Sequence, residues 1–210
     1  LDLFENNTLV IHLGMSGRLK VLKQTKIKKE KHDHLIFKTK NYVFVFNDTR
    51  KFGFIDIIKT NELNNTKYIK ILGKDALSKN LNAKYLHHKF QRITTSIKQT
   101  LLNQKIISGI GNIYACEILF DAKISPLTKT CFLNLNEIRQ IVKSIRKILI
   151  KAIESGGSSL KDYIAVDGTL GNFQKKFKVY DREGEIIKGH TIIRIRQNGR
   201  STFFCPDIQN

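Results

Sequence analysis

Gly109-Ile110-Gly111-Asn112 places two glycines and an amide side chain directly before a segment with helical spacing. Glycine permits positive φ angles and close approach of the backbone to a ligand. Successive N–H groups at a helix start form an anion-binding site, to which Asn112 adds a side-chain donor or a helix cap. The predicted chemistry is binding of a phosphate group. The alternative is an ordinary flexible turn, because helix pairs joined by glycine turns are common.

Two further stretches carry side chains suited to nucleic acid. In Asn47–Gly53, two cations that include Arg50 stand next to Phe52, which suits contact with backbone phosphates or insertion of a ring between bases. In His12–Gly17, Met15 lies near the tip of a predicted loop between glycines. The alternatives are a surface turn with the phenyl ring in the core and a tight hairpin around the methionine.

Two shorter motifs have weaker signals. Lys31-His32-Asp33-His34 is not expected to bind a metal, because its three potential ligands do not all reach one ion from a straight strand. Arg200 follows the strong hairpin signal Asn198-Gly199, so it can reach a phosphate from the hairpin tip.

Net charge indicates the kind of partner. The 210 residues include 37 lysines and arginines against 18 aspartates and glutamates, a formal net charge of +19. A charge of this size repels the folded chain against itself and is typical of proteins with a polyanionic partner, above all nucleic acid. The alternative is a basic proteome or plain solubility.

Cysteine usage and apolar runs indicate the compartment. Cys116, Cys131 and Cys205 form no C-x-x-C motif, so free thiols in a reducing cytoplasm are expected. No apolar run approaches the roughly 20 residues of a membrane span, so no membrane partner is expected. Because the chain starts at Leu1 and its only methionine is Met15, we expect the sequence to begin inside a longer protein.

The hydrophobic pattern predicts an α+β fold. Residues 8–60 contain short β-branched and aromatic runs between turn residues, which predicts an antiparallel sheet or sandwich. Residues 97–106, 113–122 and 137–154 have apolar residues at spacings of three and four, which predicts helices. The tail returns to alternating runs around Asn198-Gly199.

Seven stretches together carry a resemblance to a known family. They occur in the family's order from Leu9 to Cys205: IHLGMSGRL, KHDH, NDTRKFGF, IKQTLLNQKIISGIGNIYACEILFDAKISP, ESGGSSLKDYIAVDGTLGNF, VYDREGE and GRSTFF. The sequence resembles the bacterial formamidopyrimidine-DNA glycosylases, base-excision enzymes that remove oxidised purines such as 8-oxoguanine and formamidopyrimidines from DNA. HLGMSG and TRKFGF look more like this family than like its sister, endonuclease VIII, which prefers oxidised pyrimidines.

The resemblance implies three domains in the α+β fold. Residues 1–70 would form the C-terminal portion of the catalytic-type antiparallel β-sandwich. Residues 71–170 would form a helix-two-turn-helix DNA-binding domain, and residues 171–210 a zinc-finger-like β-hairpin. The implied protein is a monomer that binds double-stranded DNA containing oxidised bases or abasic sites.

The resemblance also implies roles for single residues. Asn112 and neighbouring N–H groups would grip phosphates flanking the lesion, and Arg200 would hold the phosphates at the lesion through elimination. Met15, Arg50 and Phe52 match the residues that fill the gap left by the extruded nucleotide, with the arginine on the orphaned base and the phenyl ring as a wedge. Further matches are three DNA-contacting residues and the loop that closes over the flipped base: His12, His32, Tyr180 and residues 166–173.

One departure from the family concerns the nucleophile. The family uses an N-terminal proline, whose amine attacks C1′ of the sugar, with a glutamate beside it and a lysine some residues later. All three belong upstream of the region that begins this chain, and Leu1–Glu5 does not match their pattern. A protein that truly begins at Leu1 is expected to lack glycosylase and β-elimination activity, whereas a longer parent protein is expected to be the enzyme.

A second departure concerns the metal. The family's finger closes with two C-x2-C pairs, whose positions here hold Ile187, His190, Cys205 and Ile208. Structural zinc needs four nitrogen or sulfur ligands. Since only His190 and Cys205 remain, we expect no zinc and no other cofactor.

Three functions stay open. The first is a DNA glycosylase with apurinic/apyrimidinic lyase activity, with an endonuclease VIII-like preference for oxidised pyrimidines as a variant. The second is a non-catalytic module that recognises bent, gapped or lesion-bearing DNA. The third is an RNA-binding or ribosome-associated protein, against which the order of the seven motifs argues. The N-terminus separates the first two.

Overall fold

The computed structural model describes residues 1–23, 28–158 and 171–210. Antiparallel strands come first, helices follow and a β-hairpin comes last, so the predicted α+β class is confirmed. Among the residues described, no helix is both long and apolar enough to cross a bilayer.

The chain forms two compact units. The first comprises Leu1–Lys70 with Ser155–Gln174, and the second comprises Ile71–Glu154 with Lys175–Asn210. The limits of the three implied domains stay a prediction.

The described part of the first unit contains two antiparallel sheets. Their strand orders are β1-β2-β6 and β3-β5-β4. One α-helical turn, α1, and two 3-10 turns, Thr60–Asn65 and Phe173–Lys176, lie in or at the edge of this unit. The bounds are β1 Asp2–Leu3, β2 Asn7–His12, β3 Gly17–Lys23, β4 Asp33–Lys38, β5 Tyr42–Asp48, β6 Phe54–Lys59 and α1 Lys67–Lys70.

The central strand β5 carries the core of the first unit. Its alternate residues Val43 and Val45 are buried on one face, as the period of two predicts. On the other face the ring of Phe44 stacks on Phe37 of β4 at a centroid distance of 5.0 Å. β5 pairs on both sides and ends at the buried Asp48, directly before the loop that carries Arg50 and Phe52.

The second unit is helical and ends in two short β-hairpins. β7 pairs with β8 in parallel, β9 with β10 and β11 with β12 in antiparallel, and Thr130–Phe132 forms a 3-10 turn. The bounds are β7 Lys74–Asp75, α2 Ala83–Phe90, α3 Ile97–Leu101, β8 Ile107–Ser108, α4 Asn112–Asp121, α5 Leu135–Glu154, β9 Ile186–Ile187, β10 His190–Thr191, β11 Ile193–Gln197 and β12 Arg200–Phe204.

The predicted helix over 137–154 is present as α5 with a reciprocal cap. The Asn134 side chain accepts from the Glu137 N–H at 3.0 Å, and the Glu137 carboxylate accepts from the Asn134 N–H at 2.7 Å. The apolar stripe is buried as expected, for example at Ile141, except for Ile153 at its edge, which is 65% exposed in the last turn.

The predicted helix over 97–106 is shorter than its apolar spacing indicates. α3 ends at Leu101, and the Asn103 side chain accepts the N–H of Lys105 at 3.1 Å. This local side-chain bond gives the backbone a turn instead of a further helical turn. The connection to α4 therefore contains a tight turn and the short strand β8, which leads into the glycine pair.

Core packing gives a first prediction. Ile141→Ala should destabilise the second unit by about 2–5 kcal/mol, because a buried isoleucine leaves a cavity. Ile153→Ala, the same change at an exposed position of α5, should cost less than about 0.5 kcal/mol. Urea unfolding followed by helical circular dichroism measures both, and equal losses would contradict the assignment of the buried stripe.

Candidate nucleic-acid interface

The start of α4 lies where the sequence predicts an anion-binding element. Gly109 has a φ of +94°, which residues with a side chain rarely adopt. Gly111 is the N-cap and has no side chain to cap the first turn, and the first intrahelical bond runs from the Ala115 N–H to the Gly111 carbonyl at 2.9 Å. The exposed N-terminal end of α4 therefore presents backbone N–H groups and the positive end of the helix dipole.

The N–H of Gly109 is not part of that donor set. It donates to the Gln104 side-chain oxygen at 2.8 Å, while the Gln104 amide donates to the Ile110 carbonyl at 3.0 Å. The two hydrogen bonds of the Gln104 side chain thus hold the backbone of the glycine turn in place. The role of Gly109 is conformational, and the donors available to a phosphate come from the first turn of α4.

A buried lysine joins α3, α4 and the β11–β12 hairpin. The Lys98 side chain is 1% exposed, and its Nζ donates to Asn112 Oδ1 at 2.7 Å, Thr202 Oγ1 at 2.8 Å and the Ser201 carbonyl at 3.1 Å. All three acceptors are neutral, so the positive charge is not cancelled locally. Burial lowers the pKa of Lys98.

Asn112 connects the same elements a second time. Its Oδ1 accepts from Lys98, and its Nδ2 donates to the Ser201 carbonyl at 3.0 Å. One Nδ2 hydrogen remains for a ligand. Because Ser201 follows Arg200 in β12, the structure brings two predicted phosphate-binding residues, Asn112 and Arg200, to the same junction.

The hairpin turn sets the position of Arg200. Asn198 and Gly199 have φ angles of +46° and +74°, as a type I′ turn requires, and Gln197 pairs with Arg200. Gln197 Nε2 donates to Ser96 Oγ and to the Pro126 carbonyl, both at 3.2 Å. The hairpin tip is therefore held against the start of α3.

A groove of about 240 Å³ lies between α3 and this hairpin. Its walls carry one buried cation, one exposed cation and several amide groups, so it suits an anion. The lining residues are Lys98, Gln99, Leu102, Asn103, Gln197, Asn198 and Arg200.

Tyr180 lies on a turn that a buried carboxylate organises. Glu117 of α4 accepts the backbone N–H groups of Lys178, Val179 and Tyr180 at 2.9–3.1 Å. Burial raises the pKa of Glu117, and the three N–H donors oppose that shift. The Tyr180 ring packs 5.0 Å from Phe203 of β12, so the predicted DNA-contacting tyrosine is tied to the hairpin.

The residues at the family's metal positions do not fit zinc. Ile187 packs against an apolar cluster, and Cys205 is fully buried. His190 Nδ1 lies 3.3 Å from Asp207 Oδ2. Within the described ranges, no group of three or more His, Cys, Asp or Glu side chains is placed to hold an ion. The absence of zinc itself stays a prediction.

In the first unit, two loops present the predicted gap-filling residues. Met15 is 70% exposed and Phe52 is 59% exposed, so neither serves the core. The Arg50 guanidinium lies 5.1 Å from the centre of the Phe52 ring. The loops touch at Gly14, where a Cβ would lie 2.8 Å from the Phe52 carbonyl carbon.

A single buried carboxylate holds both loops. Asp48 accepts from Ser16 Oγ at 2.6 Å in one loop, and from the N–H groups of Gly53 at 2.8 Å and Arg50 at 3.2 Å in the other. The Ser16 hydroxyl and the Gly53 N–H lower the pKa of Asp48 from 3.8 to about 2. Its backbone carbonyl pairs with His34 Nε2 at 2.7 Å.

The two predicted histidines also lie in the first unit. The exposed His12 ends β2, and its ring stacks on Phe54 at a centroid distance of 5.2 Å. His32 is half-buried with a φ of +72°, and its carbonyl accepts the Asp48 N–H at 3.1 Å. The loop predicted at 166–173 lies, except for its last three residues, outside the described part of the chain.

Sequence reasoning missed Lys98 and Asp48. A signal existed for Lys98, since it stands three and four residues before Leu101 and Leu102 and therefore on the apolar side of α3. Asp48 ends a β-branched and aromatic run five residues before Gly53, where an acidic side chain caps loop N–H groups. The partners of both residues come from distant segments, which spacing alone does not identify.

Comparison with known proteins gives two family matches and a set of relatives. Residues 72–163 match the family model "Formamidopyrimidine-DNA glycosylase H2TH domain", and residues 1–55 match "Formamidopyrimidine-DNA glycosylase N-terminal domain". The formamidopyrimidine-DNA glycosylase of Zymomonas mobilis is 47% identical, covering 97% of this chain and 75% of the relative. That of Roseobacter denitrificans is 41% identical, covering 100% and 78%.

Solved structures of Lactococcus lactis Fpg are also similar. Its complex with DNA containing an abasic site has a TM-score of 0.89 and 34% identity, covering 98% of this chain and 76% of that chain. A mutant of the same protein in complex with Fapy-dG-containing DNA has a TM-score of 0.90 and 35% identity, with the same coverage.

The Asp48 contacts give a second prediction. Asp48→Asn removes one acceptor oxygen and turns an amide N–H toward a backbone donor, so it should loosen both loops and lower the melting temperature near neutral pH. Because the pKa of Asp48 is depressed to about 2, its stabilisation is complete above pH 3.8 and is lost as pH falls toward 2.

Thermal unfolding between pH 6 and 2 tests the prediction. The melting temperature of the unaltered protein should fall more steeply below about pH 4 than that of Asp48→Asn. Asp2→Asn, at an exposed position, is the matched control and should follow the unaltered protein. Parallel curves for Asp48→Asn and the unaltered protein would contradict the role of this carboxylate.

Proposed function

The chain belongs to the formamidopyrimidine-DNA glycosylase family, and from this we propose that it acts in base-excision DNA repair as a DNA glycosylase and AP lyase. Its partner is duplex DNA that contains oxidised bases or abasic sites, the kind of DNA found in the Lactococcus lactis complexes. HLGMSG and TRKFGF favour oxidised purines, such as 8-oxoguanine and formamidopyrimidines, over pyrimidines.

The observation that carries this proposal is the junction of Lys98, Asn112 and Ser201 beside Arg200. It combines a buried ammonium, the N-terminal end of α4 and an exposed guanidinium. Each favours an anion, and together they suit two neighbouring phosphates of one DNA strand. The net charge of +19 also favours DNA as the partner, because DNA is a polyanion.

The first unit supplies the side chains for base flipping. Extruding a nucleotide costs about a few kcal/mol of stacking and pairing. Met15 and Phe52, exposed on loops fixed by Asp48, fill the space that the nucleotide leaves and offset part of that cost. Arg50 donates to the base that has lost its partner.

At the sugar, the family's amine nucleophile attacks C1′, the base leaves, and elimination releases the phosphate. We assign to Arg200 the binding of that phosphate during elimination, which makes it the one catalytic residue proposed in this chain. No cofactor takes part in these roles. The protein works as a monomer in the cytoplasm, where its free cysteines stay reduced.

The phosphate clamp gives a third prediction. Arg200→Ala and Asn112→Ala should each weaken binding to an abasic-site duplex about tenfold. Each should also reduce the slope of log affinity against log salt concentration, and for Arg200→Ala the reduction should correspond to about one phosphate contact. Asn112→Ala also deprives Lys98 of an acceptor. Fluorescence anisotropy at several salt concentrations measures both quantities.

The control is Arg139→Ala, which removes an exposed cation from α5 whose guanidinium donates to Asn136 Oδ1 at 2.9 Å. It should change affinity less than about twofold, as a surface charge outside the junction does. Equal affinity of Arg200→Ala, Asn112→Ala and the unaltered protein would remove the clamp from this junction.

Trapping of the covalent intermediate gives a fourth prediction. Borohydride reduces a Schiff base between an amine and C1′ to a stable bond. The natural gene product should form such an adduct with an 8-oxoguanine duplex and none with the undamaged duplex. Retained binding without an adduct would instead support the non-catalytic module, and an adduct only with oxidised pyrimidines would support the endonuclease VIII-like variant.

A further inference from the structure

The side chain of Gln197 links the tip of the β11–β12 hairpin to three other positions. Its Nε2 donates to Ser96 Oγ and to the Pro126 carbonyl, both at 3.2 Å, and its Oε1 accepts from Thr202 Oγ1 at 2.8 Å. Ser96 is the N-cap of α3, and Thr202 lies in β12, two residues beyond Arg200. One amide therefore joins the last residue of β11 to α3, to the segment after α4 and to β12.

The hydrogens in this cluster follow one pattern. The ammonium of Lys98 has donors only, so its Nζ donates to Thr202 Oγ1 at 2.8 Å. The single hydroxyl hydrogen of Thr202 is then left for Gln197 Oε1, and this fixes which end of the amide faces β12. The Nε2 end faces Ser96 Oγ and the Pro126 carbonyl, which only accepts. A side chain of the same length without an amide cannot make this set of bonds.

The same bonds continue to the predicted phosphate-binding residues. Beside the β12 hydroxyl, Lys98 Nζ also donates to Asn112 Oδ1 at 2.7 Å. On the hairpin, Gln197 pairs with Arg200 across the two-residue turn, and both residues line the groove that Lys98 also lines. Because the Arg200 side chain is exposed, its place is set by its strand, and the paired residue Gln197 is where the hairpin tip is anchored to α3.

We propose that Gln197 is a positioning residue of the phosphate clamp: its amide anchors the β11–β12 tip to α3 and so holds Arg200 beside the groove that Lys98 lines. Both cations then face the same stretch of DNA backbone. The DNA part of this proposal rests on the proposed function, whereas the anchoring of the tip is a property of the free protein.

The first test is amide hydrogen exchange of the free protein. Gln197→Met keeps the length and the apolar stem of the side chain but removes all three amide bonds. Amides of β11 and β12 near the turn should lose about tenfold in protection, because the tip opens more easily. Amides of α5 should be unchanged. Unchanged protection near the turn, or an equal loss in α5, would overturn the anchoring role.

The second test measures affinity for an abasic-site duplex at several salt concentrations. Gln197→Met should weaken binding about fivefold. It should also reduce the slope of log affinity against log salt concentration by up to about one phosphate contact, although it removes no charge, because Arg200 is displaced from its phosphate. Arg200→Ala should then cost clearly less in the Gln197→Met background than in the unaltered protein.

The control is Gln140→Met, the same change on the exposed side of α5, which should leave affinity and salt slope unchanged. Weaker binding of Gln197→Met with an unchanged slope, or strictly additive losses with Arg200→Ala, would overturn the positioning of Arg200. Failure of the unaltered protein to prefer damaged DNA would count against the proposed function instead, and hydrogen exchange would still decide whether Gln197 anchors the tip.

Discussion

The second unit depends on one constraint: the buried ammonium of Lys98 must find acceptors without a carboxylate. An ammonium removed from water is costly unless its three protons are bonded. Its three acceptors come from Asn112, Ser201 and Thr202, so satisfying the charge requires α4 and β12 to meet at the start of α3. Because all three acceptors are neutral, they do not cancel the charge of Lys98, which can still attract a phosphate. The contacts that hold α3, α4 and β12 together therefore also make the junction positive.

In the first unit, a buried negative charge joins separate segments in the same way. The Asp48 carboxylate gathers a hydroxyl and backbone N–H groups from two loops, so the loops keep their shape while Met15 and Phe52 stay exposed. An acidic residue beside a DNA-binding loop would ordinarily repel phosphates. Here the donors surrounding Asp48 offset its charge, and the neighbouring cation Arg50 stays exposed.

The sequence predicts features that depend on neighbours along the chain. The stripe and cap of α5 follow from a period of 3.6, and the β11–β12 turn follows from Asn198-Gly199. The contacts that organise the site join residues far apart, such as Lys98 with Thr202 and Asp48 with Ser16, and no local period encodes them. Even the helix over 97–106 is shortened by a side-chain bond of Asn103 that apolar spacing does not reveal.

Several contacts support the β11–β12 hairpin at once. The hairpin is held by the Gln197 amide at its tip, the apolar cluster around Phe203 and the Gln209 amide beyond its end. Each contact is worth little alone, but together they hold the hairpin against the start of α3, against α4 and against the segment that follows α4. Arg200 is therefore held in register with the N-terminus of α4, where the neighbouring Ser201 carbonyl accepts from Asn112.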